Sequence, residues 1–242
     1  MRSLLPTPAS QIDREQIVEL YRFQPDRPWV RGIFVSSVDG AVQGGSGTSG
    51  GLSTSDDKAI FALQRSLCDL ILVGAGTARA EGYRPVQTDE IDAQLRQRLG
   101  LTPVPPIAVV TRSPDWDSPT LQGGRAPSIV VTTEDAPLPP ERDRAARTIS
   151  AGEGMVDIAG ALDQLAAAGH RRIVCEGGPT LMDHVVAAGR LDDLCLTISP
   201  LMVSGQASRL LGGAGLEPAV TMSLAHLLEA EGALFTRYVV DR

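Results

Sequence analysis

Glycine-rich turns carry the chemistry that stands out in this chain of 242 residues. At 173–186 the sequence reads IVCEGGPTLMDHVV, an apolar run, then Glu176-Gly177-Gly178-Pro179-Thr180-Leu181, then a helical pattern. Two glycines permit a sharp turn and a close approach of backbone to a ligand. Pro179 suits the first turn of a helix, and the N–H groups near Thr180 and Leu181 are then free to meet an anion. Taken singly, such a turn more often just joins a strand to a helix. A second turn, LILVGAGTARAEGY at 70–83, repeats the plan with Gly74, Gly76 and Thr77. It is not the dinucleotide fingerprint, whose third glycine would fall on Arg79. A third segment, IAVVTRS, ends in Thr111, Arg112 and Ser113. An arginine beside hydroxyls suits an adenosine 2′-phosphate, and so NADPH over NADH; the plainer alternative is a solvated loop charge. Two glycine turns at the carboxyl ends of strands in one parallel sheet form a crevice for a dinucleotide.

The elements that must position these turns are legible as short apolar runs. VRGIFVSS (30–37), LILVG (70–74), IAVVT (107–111), SIVVTT (128–133), RIVCE (172–176), LCLTIS (194–199) and ALFTRYVV (233–240) read as strands. Most are nearly unbroken, as central strands covered on both faces are. Helical spacing appears in DDKAIFALQRSLC, behind the capping candidates Ser53, Thr54 and Ser55, in VDIAGALDQLAAAG, and in TLMDHVVAAGR. Alternating strands and helices predict a mostly parallel twisted sheet flanked by helices. LLEAEGALFTRYVV, a strand, turn and strand, predicts an antiparallel C-terminal edge. The proline-rich LTPVPP and APLPPERDR mark loops rather than a domain boundary. Residues 1–27 form an N-terminal extension with a short helix in QIDREQIVELY, and residues 28–242 form one domain. The glycine-rich loop in FVSSVDGAVQGGSGTSGGLSTSDD (34–57) reads either as a lid or as an insertion without a role.

Composition narrows the classes. A net charge of −7 argues against nucleic acid as a partner, which wants a basic face. Cys68, Cys175 and Cys195 are scattered in apolar runs and no histidines group, so neither a disulfide framework nor a metal site is expected. No apolar stretch is long enough for a bilayer and the N-terminus lacks a signal-peptide core, so a cytoplasmic protein with no membrane partner is expected.

VSSVDG, LQRSLCDLILVGAGTARAEGY, IAVVTRS and IVCEGGPTL, in this order and spacing, closely resemble the reductase domain of bacterial riboflavin biosynthesis. The resemblance runs from about residue 28 to the C-terminus and implies a fold like that of dihydrofolate reductase. It implies NADPH as cofactor, held by Val35 at a strand end, by Gly74, Gly76 and Thr77, by Thr111, Arg112 and Ser113, and by Gly177 through Leu181. Gly51 stands where that family commonly has a lid tryptophan and is counted with these cofactor positions. Ser37, Ser49, Arg65 and Glu176 match the substrate side, with Glu176 facing the substrate. An arginine expected just beyond Tyr83 falls on Thr88, with Arg84 nearby as its substitute, and Glu81-Gly82-Tyr83 replaces a usual Asp-Asp-Pro. The implied reaction is hydride transfer to 5-amino-6-(5-phosphoribosylamino)uracil, with Asp39 and Glu81 as the carboxylates to consider for proton transfer. For Asp39 the Asp-Gly pair reads equally as a plain turn. The same fold could serve dihydrofolate or another pterin, through Asp56 or Asp57, or a nucleotide-binding sensor without catalysis. A homodimer is implied as well.

Overall fold

The computed structural model describes residues 1–24, 27–138, 146–213 and 215–242. Within these, the strands are β1 (Arg2–Leu5), β2 (Trp29–Ser37), β3 (Leu70–Gly74), β4 (Ile107–Val110) and β5 (Ile129–Thr132). They continue as β6 (Arg147–Ser150), β7 (Arg172–Cys175), β8 (Asp193–Ser199), β9 (Met222–Ala230) and β10 (Ala233–Val240). The helices are α1 (Arg14–Leu20), α2 (Ser55–Leu67), α3 (Ala75–Ala80), α4 (Ala93–Arg98), α5 (Ile158–Ala167) and α6 (Pro179–Ala187). Residues 139–145, which take in most of the APLPPERDR loop, lie outside the described residues.

The strands pair in the order β1-β9-β10-β8-β2-β7-β3-β4-β5-β6. From β8 to β6 every pairing is parallel, whereas β10, β9 and β1 add on antiparallel. The expected parallel sheet with an antiparallel C-terminal edge is therefore present. Alternate residues of each central strand serve two cores. Ile71 and Val73 of β3 pack with Ile60, Leu63 and Leu67 of α2, while Leu70 and Leu72 pack with Leu162 of α5 and Val185 of α6. Burial on both faces is why these strands read as unbroken apolar runs. Helix α2 starts as its sequence proposes, with the Thr54 hydroxyl accepting the Asp57 N–H at 3.1 Å.

Residues before 28 contribute an edge strand as well as the expected helix. β1 pairs with β9, and Arg2 is salt-bridged to Glu229. Beyond α1 the chain is tied down by a buried charge network. Arg31 grips both oxygens of Asp193, Arg237 adds a bond of 2.6 Å to the same carboxylate, and all three side chains are buried. The spare donors of the two arginines close on the carbonyls of Tyr21 and Leu20, at 2.6 and 2.9 Å. Burial disfavours the Asp193 charge, yet the two guanidiniums win and hold its pKa below the usual carboxylate range. Removing Asp193 leaves two buried cations unpaired, so Asp193→Ala is expected to cost about 3–5 kcal/mol. Urea unfolding of the variant checks this, and a loss near zero would show that the network contributes nothing.

Candidate active site

Strands β7, β3 and β4 are neighbours and parallel, so the three turns singled out in the sequence emerge side by side at one edge of the sheet. The turn after β7 and the turn after β3 touch directly: the Gly74 N–H donates to the Gly177 carbonyl at 2.7 Å. Little room exists for side chains here. A Cβ on Gly177, whose φ is +75°, would lie 2.5 Å from the Phe34 ring. A Cβ on Gly178 would lie 2.5 Å from the Thr77 hydroxyl. The peptide between these two glycines is cis. Pro179 then opens α6, and among the described residues no backbone acceptor meets the N–H groups of Thr180 and Leu181. Next to this crevice, the Thr111 hydroxyl donates to the Ser113 carbonyl and accepts the Ser113 N–H, and Arg112 is exposed with no ion pair among the described residues.

Beside the crevice lies a cavity of about 450 Å³ between β2, β8, α2 and the segment after α3. Val35 and Thr197, opposite one another across β2 and β8, form part of its floor. Its wall is organised by Glu176. Arg65 donates to both carboxylate oxygens, Nε to Oε1 at 2.8 Å and Nη2 to Oε2 at 2.7 Å, and the Tyr83 hydroxyl adds a bond of 2.5 Å to Oε2. The Arg65 guanidinium lies 4.4 Å from the Phe61 ring centroid and 5.4 Å from that of Tyr83. Burial works against the charge on Arg65, but Glu176 overrides it and raises its pKa. Burial, then the Glu176 charge, pushes the Tyr83 hydroxyl well above its ordinary pKa, so it stays a donor. With Nε and Nη2 committed, Nη1 of Arg65 makes no hydrogen bond among the described residues.

The sequence of residues 28–233 matches the profile of the RibD C-terminal domain. The chain belongs to that family. A relative in Methanothermobacter thermautotrophicus, a 2,5-diamino-6-ribosylamino-4(3H)-pyrimidinone 5′-phosphate reductase, is 29% identical over 198 residues, which span 79% of this chain and 87% of the relative. A pyrimidine reductase-like protein of Corynebacterium diphtheriae superposes with a TM-score of 0.75 at 28% identity, covering 89% of this chain and 92% of the other. Dihydrofolate reductase from Enterococcus faecalis shares the fold at a TM-score of 0.51 and 12% identity, over 88% and 97% of the two chains. This RibD C-terminal domain is accordingly an oxidoreductase with a dihydrofolate reductase-like fold.

Of the residues named from sequence, Val35, Ser49, Arg65, Thr77, Glu81, Arg84, Glu176, Gly178 and Pro179 line the cavity of this domain. Glu81 and Ser49 meet, the carboxylate accepting the Ser49 N–H at 2.7 Å and so tying the glycine-rich loop to the turn after α3. Gly74, Gly76, Gly177, Thr180, Leu181, Thr111, Arg112 and Ser113 belong to the adjoining turns rather than to the cavity. Three residues named from sequence, Asp39, Ser37 and Gly51, lie outside it. Asp39 lies outside the lining; its carboxylate accepts the Ser37 hydroxyl and the N–H groups of Ser204 and Val203, which hold its pKa at about 2. An exposed, strongly acidic loop anchor of this kind has no proton to give near neutral pH. Ser37 is consumed in that same turn, and Gly51 is exposed with open space around it. Glu176 lines the cavity with both its carboxylate oxygens engaged by Arg65 and Tyr83. Phe61 and Gln64 were not singled out, and Cys195 was read only as one of the cysteines in apolar runs; the first two share with Asp57 and Arg65 one face of α2, a spacing that could have revealed them.

The two glycine turns supply a direct test. Gly177→Ala meets both the Phe34 ring and a left-handed φ and is expected to cost about 2 kcal/mol. Gly76→Ala, with nothing within 4 Å of the added carbon, should be tolerated. Thermal unfolding of the two variants side by side checks the contrast, and equal losses would refute the packing argument.

Proposed function

We propose that this domain is an NADPH-dependent reductase of a phosphoribosylaminopyrimidine, opening its ribosyl group to a ribityl chain. The observation that carries the reading is the junction of an anion-ready glycine crevice with a cavity that presents an aligned guanidinium. The residues fit a dinucleotide. Free N–H groups at the start of α6 and the dipole behind them suit its pyrophosphate. The space above Gly76 stays open to it, and the free charge of Arg112 suits a 2′-phosphate.

When bound, the reduced nicotinamide would supply the hydride that adds to C1′. The rest of the work falls to the chain. The floor around Val35 and Thr197 positions the reacting atoms and keeps water away. Nη1 of Arg65, aimed by the Glu176 pairing and the flanking rings, binds the sugar phosphate, with Arg84 and Ser49 at the same cavity. For the reduction, the C1′–O bond of the ribose ring breaks as the amine N–H proton passes to that oxygen and a C1′=N bond forms; C1′ then gains a hydride and the nitrogen a proton. Of the two carboxylates considered from sequence, Glu81 alone lines the cavity and is the one kept for that proton.

Loss of NADPH absorbance with phosphoribosylaminopyrimidine as substrate tests the reading. Oxidation with dihydrofolate alone would replace it by a pterin reductase, and nucleotide binding without turnover of either would replace it by a sensor. In this assay Arg65→Lys, which keeps a charge beside Glu176 but loses the fork, should raise KM at least about tenfold with NADPH affinity unchanged. Glu81→Gln should instead lower kcat by about a hundredfold. A shared effect on KM would mean the two roles are misplaced. Arg112→Ala should bring the affinities for NADPH and NADH together, as read from fluorescence titration; an undiminished preference for NADPH would assign the 2′-phosphate to other groups.

A further inference from the structure

Six buried side-chain oxygens and nitrogens lack a hydrogen-bond partner among the described residues, and of these the Gln64 Oε1 is the one at the cavity. Gln64 is 4% exposed, and its Nε2 likewise donates to nothing among the described residues. Other polar groups of the wall are already served. Glu176 is engaged by Arg65 and Tyr83, and Glu81 accepts the Ser49 N–H at 2.7 Å. A buried carboxamide with both ends idle is costly, so its partners are expected to come from what fills the cavity.

The place of Gln64 on α2 decides which part of a ligand it meets. Phe61 is followed three positions on by Gln64 and four positions on by Arg65, so both side chains flank the same ring one turn later. Asp57, whose side chain also takes no bond among the described residues, stands seven positions before Gln64, or roughly 10 Å at a rise of about 1.5 Å per residue. The substrate proposed above carries its phosphate on the ribosyl group, with the pyrimidine beyond. With the phosphate on Arg65, the part within reach of the adjacent residue is the sugar. A carboxamide offers an acceptor and a donor side by side, and two neighbouring hydroxyls, each able to donate and accept, match both. Resting on that reading, we propose that Gln64 reads the sugar: Oε1 accepts one hydroxyl of the ribosyl group and Nε2 donates to the next. The hydroxyls at C2′ and C3′ are untouched by the reduction, so the same bonds serve substrate and product. Gln64 therefore acts on KM and not on kcat.

Calorimetric titration of the full chain with ribitol 5-phosphate and with pentyl phosphate, which keeps the phosphate and the chain but lacks the hydroxyls, tests the inference. The wild type should bind ribitol 5-phosphate at least about tenfold more tightly, the scale of one or two net hydrogen bonds. Gln64→Leu, which removes both polar atoms at similar size, should bring the two affinities together. In the reductase assay it should raise KM for the phosphoribosylaminopyrimidine about tenfold with kcat unchanged. NADPH affinity, read by fluorescence, should match the wild type and reports a folded site; Gln64→Met, equally apolar and more pliant, decides the matter if the leucine variant fails that check. Equal wild-type affinities for the two phosphates overturn the inference, as does a preference that survives the substitution. A rise in KM with that preference intact assigns Gln64 to the pyrimidine and overturns it too. In each of these cases, turnover of the phosphoribosylaminopyrimidine by the wild type leaves the reductase reading standing. Absence of that turnover overturns the reading itself and this inference with it.

Discussion

One backbone hydrogen bond, from the Gly74 N–H to the Gly177 carbonyl, sets the geometry on which the site depends. It locks the turn after β3 against the turn after β7 at a separation that side chains on Gly177 and Gly178 would prevent. Two consequences follow from the same contact. The helix starts behind both turns come to one crevice. Glu176, one residue before the paired carbonyl, is fixed at the crevice mouth, where Arg65 and Tyr83 reach it from α2 and from the segment after α3. The nucleotide side and the substrate side are therefore not separately adjustable.

Buried charge is used in two ways. The Arg31, Asp193 and Arg237 network is turned inward: its bonds all go to other parts of the chain, and it ties the backbone after α1 to the sheet. Such a network does little for stability relative to apolar packing but is costly to break. The Arg65 and Glu176 pair is left open by one nitrogen, and Asp57 and Gln64 are left open altogether. Open polar groups that converge on one cavity give it the means to bind a polar ligand.

The sheet was largely legible because its strands are covered on both faces and so lack polar interruptions. Periodicity sufficed for β2, β3, β4, β5, β7, β8 and β10. What escaped had weak or mixed signals. β6 is a half-buried RTIS at the far edge, β1 is four residues long, and α4 is a short, charged AQLRQR. The glycine turns could be read as a crevice, since glycine and proline constrain backbone locally. Partnerships between side chains could not. Glu176 is one residue from a readable turn, yet its engagement by Tyr83 depends on how far apart in sequence two elements meet, 93 positions. Asp39 misled for the opposite reason: its place at a strand end was right, but the Ser204 and Val203 amides that capture it lie in a distant loop.

The edge strand β1 has a bearing on how the chain comes to its final state. Its partner is β9, and the Arg2 to Glu229 contact spans 227 positions. Loop closure of that kind is slow and has to await everything between. During synthesis β1 and α1 emerge ahead of the strands they join, and their pairing and the Arg237 bond to the Leu20 carbonyl wait until β9 and β10 have been made. The central parallel strands can assemble while that segment still lacks its seat. The residues of β1 are made well before the strand that seats them and are among the last of the sheet to be fixed.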